Sequence, residues 1–153
     1  MSVRIEEGFG FIINDLARFF RRAFEKELER EGVPLTPACA RALVYAAAFS
    51  GQRQIQLAER MNVEPMTLVN QLDTLEGMGF VERLPDPSDR RCKIIVVKDE
   101  AQELVKQLKQ VGARVREHAA AGLSEEDVRH LQETLIKMRD ELASLPGNPE
   151  STS

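Results

Sequence analysis

The densest positive charge in this sequence falls at Arg90, Arg91 and Lys93, on the exit of a turn made by Pro85, Asp86, Pro87, Ser88 and Asp89. Apolar runs flank it, Phe80-Val81 before and Ile94-Ile95-Val96-Val97 after, which reads as two short strands meeting at a basic tip. A guanidinium at such a tip suits a narrow DNA minor groove, where negative potential is concentrated. Asp89 is close enough to pair with an arginine and hold it in one pose. Upstream, Thr67, Asn70, Gln71 and Thr74 recur at helical spacing as an uncharged polar face, whose hydroxyls and amides can exchange hydrogen bonds with base edges. Met66 beside them can touch a thymine methyl. No Lys or Arg stands between Arg60 and Arg83, so this face lacks the phosphate contacts that usually dominate affinity.

Other chemistry is scarce. His118 and His130 have no Cys or carboxylate partners at ligand spacing, so no metal site and no cofactor is expected. No Ser, His and acid arrangement and no phosphate-cradling glycine loop is readable, which argues against an enzyme. Cys92 stands between Arg91 and Lys93, and cationic neighbours favour the reactive thiolate. Oxidation there would disturb the hairpin, which makes a thiol-based sensor one alternative. The other is that Cys39 and Cys92 are small packing residues. Two cysteines so far apart make no disulfide framework, so a reducing cytoplasm is the expected location.

The elements that must hold these groups are mostly helical. Phe9, Ile12, Ile13, Leu16, Phe19, Phe20, Ala23, Phe24 and Leu28 predict a first helix with a stripe wide enough for contacts on more than one side. Thr36 followed by Pro37 predicts a capped second helix ending at Gly51. A short helix then ends at Asn62, which tolerates the left-handed conformation. Pro65 opens the next, closed by Gly77 and Gly79, with Leu68, Leu72 and Leu75 facing the core. Two helices joined by three or four residues are a helix-turn-helix, and a hairpin with a basic tip directly after it makes a winged helix. Arg53 and Gln54, at the start of the first of those helices, are placed to hold the DNA backbone. Beyond the hairpin, Leu104, Leu108, Val111 and Val115 mark one helix. Ser124 and Asp127 form a capping box for another, whose apolar seam runs Val128, Leu131, Leu135, Met138, Leu142, Leu145.

Composition sets the bounds. The 153 residues carry a formal net charge of −4, 42% hydrophobic and 30% charged residues, and no Trp. That describes a soluble domain without a general electrostatic pull toward nucleic acid, so any such binding must come from local clusters. The N-terminus does not read as a signal peptide, and no window is apolar enough to span a membrane.

These residues, taken in order, resemble the DNA-binding core of the MarR family and most of all its SlyA-type members. The resemblance is carried by Leu57-Ala58, Thr67-Leu68-Val69, Leu72-Asp73, Leu75-Glu76, Gly79-Phe80-Val81 and the stretch from Asp86 to Arg91. Asp15-Leu16-Ala17-Arg18 and Leu35-Thr36-Pro37-Ala38 fit upstream. The resemblance implies a homodimer whose N-terminal and two C-terminal helices knit together, a recognition helix in each major groove and a wing reaching each minor groove. It also implies a small aromatic or phenolic effector that releases the DNA, with Arg18, Thr36, Ala40 and Val44 at the positions that line an aromatic-acid site. Arg18 would pair with a carboxylate there, or alternatively form an intersubunit salt bridge. Three departures stand out. Asn70 replaces a commonly basic residue, Ala40 stands where a bulky aromatic is frequent, and Val97-Lys98 replaces Leu-Thr, leaving Asp99 to cap the next helix. Peroxide-sensing members carry their cysteine near the start of the first long helix, and here none precedes Cys39.

The expectation is therefore a mainly α chain. Residues 35–98 form a winged helix-turn-helix lobe, 1–34 and 99–145 a helical dimerisation region, and 146–153 a disordered tail. Its expected function is that of a homodimeric repressor on a pseudo-palindromic double-stranded DNA site, without membrane contact. Thr67, Asn70 and Gln71 would contact bases, and Arg90 and Arg91 the minor groove with Asp89 as buttress. The alternative from another class is a helical dimerisation module acting through protein partners, suggested by the net negative charge and the uncharged reading helix.

Overall fold

The computed structural model describes residues 4–148. The chain divides into two compact units, Met1–Val115 and Arg116–Ser153. The first unit begins with a single 3₁₀ turn and then α1, Phe9–Arg30. Along its first three turns the large apolar side chains Phe9, Ile12, Ile13, Leu16, Phe19 and Phe20 stay exposed, and only Glu27 and Leu28 near its end are buried.

The lobe that follows is built from caps the sequence spells out. Helix α2, Pro37–Ala48, starts where the Thr36 hydroxyl accepts the Cys39 N–H at 3.2 Å. Its last helical residue is Ala48, and the chain turns at Gly51 with φ +79°, a conformation that suits glycine. Helix α3, Gln54–Met61, closes on Asn62 in the left-handed region at φ 52°, ψ 51°. Helix α4, Pro65–Gly77, opens on proline at its first position, where the absent N–H leaves no bond unmade.

Strands β1, Val81–Pro85, and β2, Lys93–Val97, pair antiparallel from Val81 opposite Val97 to Pro85 opposite Lys93. The segment before α3 adds a short third rung. Arg53 bridges Ile94, the Ile95 N–H donates to the Gln52 carbonyl at 3.1 Å, and the Gly51 N–H donates to the Ile95 carbonyl at 3.1 Å.

One apolar core joins these pieces, with Leu43, Leu57, Met61, Leu68, Leu72, Leu75, Val81 and Ile95 all but fully buried. It does not end with the hairpin. Leu28 from α1 and Val105, Leu108 and Val111 from helix α5, Gln102–Ala119, belong to the same cluster. The buried row on α5 therefore starts at Val105, whereas Leu104 is only half-buried at its flank. A 3₁₀ turn at Asp99–Ala101 precedes α5, and the residue before that turn, Lys98, makes no side-chain capping bond. Asp99 thus sits in the first turn, where negative charge is favourable, rather than capping from outside it.

In the second unit α6, Glu125–Ala143, begins with a reciprocal box: the Ser124 hydroxyl accepts the Asp127 N–H at 3.1 Å, and Asp127 accepts the Ser124 N–H at 3.2 Å. No residue of α6 is buried, and Leu131, Leu135, Leu142 and Leu145 of its seam are exposed. Of the tail expected from 146 onward, the residues up to Asn148 form a turn in which the Asn148 amide donates to the Leu142 carbonyl at 3.2 Å. The remainder lies outside the described residues.

Candidate nucleic-acid interface

Helix α4 presents two faces because its residue types alternate at helical spacing. Leu68, Leu72 and Leu75 are fully buried and anchor the helix. Met66, Thr67, Asn70 and Thr74 are exposed and, at about 100° per residue, share one arc of roughly 100°. One polar residue of that set is partly committed, and the neighbouring Gln71 is partly withdrawn. The Thr74 hydroxyl donates to the Asn70 carbonyl at 3.1 Å, a common fate of threonine inside a helix. Gln71 is half-buried, and its amide oxygen is buried without a partner. The freely presented polar groups are thus those of Thr67 and Asn70, toward the N-terminal half.

The wing is more tightly organised than its composition suggests. Across the turn the Asp86 N–H donates to the Cys92 carbonyl at 3.0 Å, the Asp89 N–H to the Asp86 carbonyl at 3.2 Å, and the Cys92 N–H to the Asp89 carbonyl at 2.9 Å. Asp89 does buttress an arginine, and that arginine is Arg91. Its Nε and one terminal nitrogen donate to the two carboxylate oxygens at 3.0 and 3.1 Å, and its backbone N–H adds a third bond at 3.1 Å. The guanidinium beside it holds the Asp89 carboxyl below the usual carboxylate range, and the pairing raises Arg91 in turn. The Arg91 side chain remains 90% exposed, so it is oriented without being withdrawn from solvent. Arg90 and Lys93 are exposed too.

Arg53 is engaged inside the molecule. Its Nε donates to Asp86 Oδ2 at 2.5 Å and a terminal nitrogen donates to the Ser88 hydroxyl at 3.1 Å. Asp86 also accepts the Ser88 N–H and hydroxyl on its other oxygen, each at 2.8 Å. These Ser88 bonds, with Arg53 next, hold the Asp86 carboxyl down at about 2. Gln54, the first residue of α3, is half-buried beside this group.

A second strap is not evident from the sequence alone. Arg83 on β1 donates to Asp73 Oδ1 at 2.5 Å and to Glu76 Oε2 at 2.6 Å, and its backbone N–H reaches Glu76 Oε1 at 3.2 Å. The Arg83 guanidinium holds Glu76 below its ordinary value. Its only signal in the sequence is a pair of carboxylates one turn apart on α4, facing a strand that carries a single arginine. Through Arg83 and Arg53 the wing is tied to both helices of the helix-turn-helix.

The other expected groups are more dispersed. Arg18 is exposed, pairs with Asp15 at 2.6 Å and lies over the Phe19 ring. Thr36 is spent on its cap, Ala40 is fully buried in the core and Val44 is half-buried. A shallow hollow on α1 is lined by Gly10, Phe11 and Asn14, and by none of these four. Cys39 is buried. Cys92 is half-buried, with its thiol 3.7 Å from Asp89 Oδ2. His118 and His130 are exposed. Among the described residues no group of three His, Cys, Asp or Glu could hold a metal ion, and no helix is long and apolar enough to cross a membrane.

Comparison with known proteins agrees with this geometry. The MarR family model matches residues 35–93, from the start of α2 to the far side of the wing turn. A MarR family transcriptional regulator from Rhodococcus sp. RHA1 is 27% identical, with 94% of this chain and 95% of that one covered and a TM-score of 0.71. CouR from Rhodococcus jostii RHA1, solved with p-coumaroyl-CoA, is 28% identical over 94% of each chain with a TM-score of 0.68. MarR from E. coli, 22% identical over 90% of this chain and 98% of its own, shares the fold at a TM-score of 0.69.

Proposed function

We propose that this chain, whose residues 35–93 match the MarR family model, is a winged-helix regulator of that family that binds DNA as a homodimer and acts as a repressor on a pseudo-palindromic site. The observation that carries the reading is the exposed, uncharged arc of α4 set beside a wing whose arginine is pre-aimed by Asp89. Asn70 and Thr67 would exchange hydrogen bonds with base edges, and Asn suits adenine in the major groove. Met66 would meet a thymine methyl. Arg91, held by a bidentate carboxylate, would enter the minor groove, with Arg90 and Lys93 on the flanking phosphates. Dimerisation is supported by two exposed apolar stripes, one on α1 and one on α6, since contiguous exposed apolar surface marks interaction sites. Residues 1–34 and 99–145 would supply that interface, and the protein would work in the cytoplasm.

An effector is part of the proposal. CouR holds p-coumaroyl-CoA, whose acyl group is phenolic, so a small phenolic or aromatic acid or its thioester is the class to try first. Ala40 is fully buried, so the aromatic-acid site would have to form by opening of the core around Ala40 and Val44. Arg18 would meet the carboxylate.

Selection of genomic fragments at two salt concentrations, with the bound fragments sequenced, tests the reading. Enrichment of a two-fold symmetric site with half-sites about one helical turn apart is expected. Unselective recovery that vanishes at higher salt would reduce the protein to a backbone binder. No recovery at either salt would favour the module that works through protein partners. Release of DNA on oxidation, abolished by Cys92→Ser, would instead mark a thiol sensor.

A further inference from the structure

We infer that Arg53 and Asp86 form a clamp that fixes the wing against the start of α3, so that an acidic residue, Asp86, is required for tight DNA binding. The inference rests on the DNA-binding reading above and deepens it.

The residue before a helix is ordinarily one whose side chain can accept a bond from the first turn. Arg53 occupies that place in front of α3 and its side chain makes no such bond; the helix gains only the bond from the Arg53 N–H to Gln56, at 3.1 Å. The guanidinium instead leaves the helix and spans 33 positions of sequence to Asp86, at 2.5 Å, and to the Ser88 hydroxyl. Asp86 is only 8% exposed. A carboxylate so placed is costly unless it is paired and hydrogen-bonded, and here it has the Ser88 N–H, the Ser88 hydroxyl and Arg53. Beside it the backbone rungs from Gly51, Gln52 and Arg53 hold β2. The turn presenting Asp89, Arg90 and Arg91 is therefore fixed at both roots, on one side by a rung and on the other by an ion pair.

This assignment has an unusual sign. A carboxylate near phosphates ordinarily weakens binding, so removing it should help. A clamp predicts the reverse, because a free wing must be ordered at the moment of binding. It also makes Arg53 a positioning residue, with its Nε committed inside the protein rather than to a phosphate.

Asp86→Asn, Arg53→Gln and the double variant, titrated by fluorescence anisotropy onto a duplex selected by the full-length protein, decide the matter. Asp86→Asn should weaken binding about tenfold, Arg53→Gln about as much, and the double variant no more than either single one. The dependence on salt should be unchanged in all three, since every phosphate contact stays in place. Asp86→Asn binding as tightly as wild type, or tighter, would overturn the clamp. So would a salt slope reduced by about 0.9 per subunit in Arg53→Gln alone, the signature of a direct bond to phosphate. Melting curves accompany each variant. If Asp86→Asn is unfolded at the assay temperature, Ser88→Ala replaces it; that variant keeps the ion pair, removes the hydroxyl that donates to Asp86 and accepts from Arg53 and should cost about threefold, and undiminished affinity there would refute the clamp. Should the wild-type protein select no DNA, the DNA-binding reading fails by itself. The clamp is then read from amide exchange at Asp89 and Cys92, which Asp86→Asn must accelerate if the clamp exists.

Discussion

Replacing Arg83 by Ala should loosen helix α4 from the wing without touching any proposed DNA-binding group. The guanidinium donates to Asp73 at 2.5 Å and to Glu76 at 2.6 Å, and the Arg83 side chain is 20% exposed while both carboxylates are more open to water. Pairs of that kind are each worth about 0.2–1 kcal/mol, so two contribute about 1 kcal/mol. Loss of the shielded stem adds about 0.5 kcal/mol at 25 cal/mol per Å². For 153 residues a change of about 1.5 kcal/mol lowers the melting temperature by roughly 3–6 °C. DNA affinity should fall roughly fivefold, because two unpaired carboxylates remain on the flank of α4 and the wing is released. Adding Asp73→Asn and Glu76→Gln to the Arg83→Ala background should recover part of the affinity, since that removes the charges left without a partner. Calorimetry and anisotropy titration on the same preparation check both numbers. A melting temperature within 1 °C of wild type together with affinity within twofold would refute the strap.

Three further outcomes are expected. Asn70→Ala should change base preference at one position in each half-site, costing about 1–3 kcal/mol of discrimination there, as read by selection and sequencing with the variant. Arg90→Ala with Arg91→Ala should weaken binding to every sequence and lower the salt slope by about 0.9 for each phosphate no longer neutralised, which a titration across salt concentrations measures. The Asp86 carboxyl is held down at about 2 from an ordinary 3.8. A depressed carboxyl stabilises the fold above its ordinary value and loses that contribution as pH falls through its value in the folded protein. Melting temperature should therefore drop between about pH 4 and pH 2, and Asp86→Asn should flatten that part of the profile.

What could be read from the sequence was what local chemistry dictates. Thr36 with Pro37, Asn62, Pro65 and the Ser124–Asp127 box each act within a few residues of themselves, and each terminus falls where they place it. That Asp89 pairs with an arginine was legible for the same reason, though not that the arginine is Arg91, two residues on. The straps were not. Arg53 meets Asp86 across 33 residues and Arg83 meets Asp73 across 10, and such meetings depend on how the hairpin lies against the helices. Arg53 reads as a backbone contact when its helix is considered alone, and only the hairpin shows what occupies its guanidinium. The inward half-turn of Gln71 and the shift of the α5 core row to Val105 have the same origin. Both depend on helix phase relative to a core, which polar spacing alone does not set.

The central claim is that α4 reads bases while the wing arginine enters the neighbouring minor groove, once per subunit of a dimer. Footprinting on a selected site, with dimethyl sulfate reading guanine N7 in the major groove and hydroxyl radicals reading the sugars that line the minor groove, tests it most directly. Two protected major-groove segments about one helical turn apart are predicted, each flanked by a minor-groove protection that disappears with Arg91→Ala. A single unflanked protection, or flanking protections that survive the loss of Arg91, would contradict it.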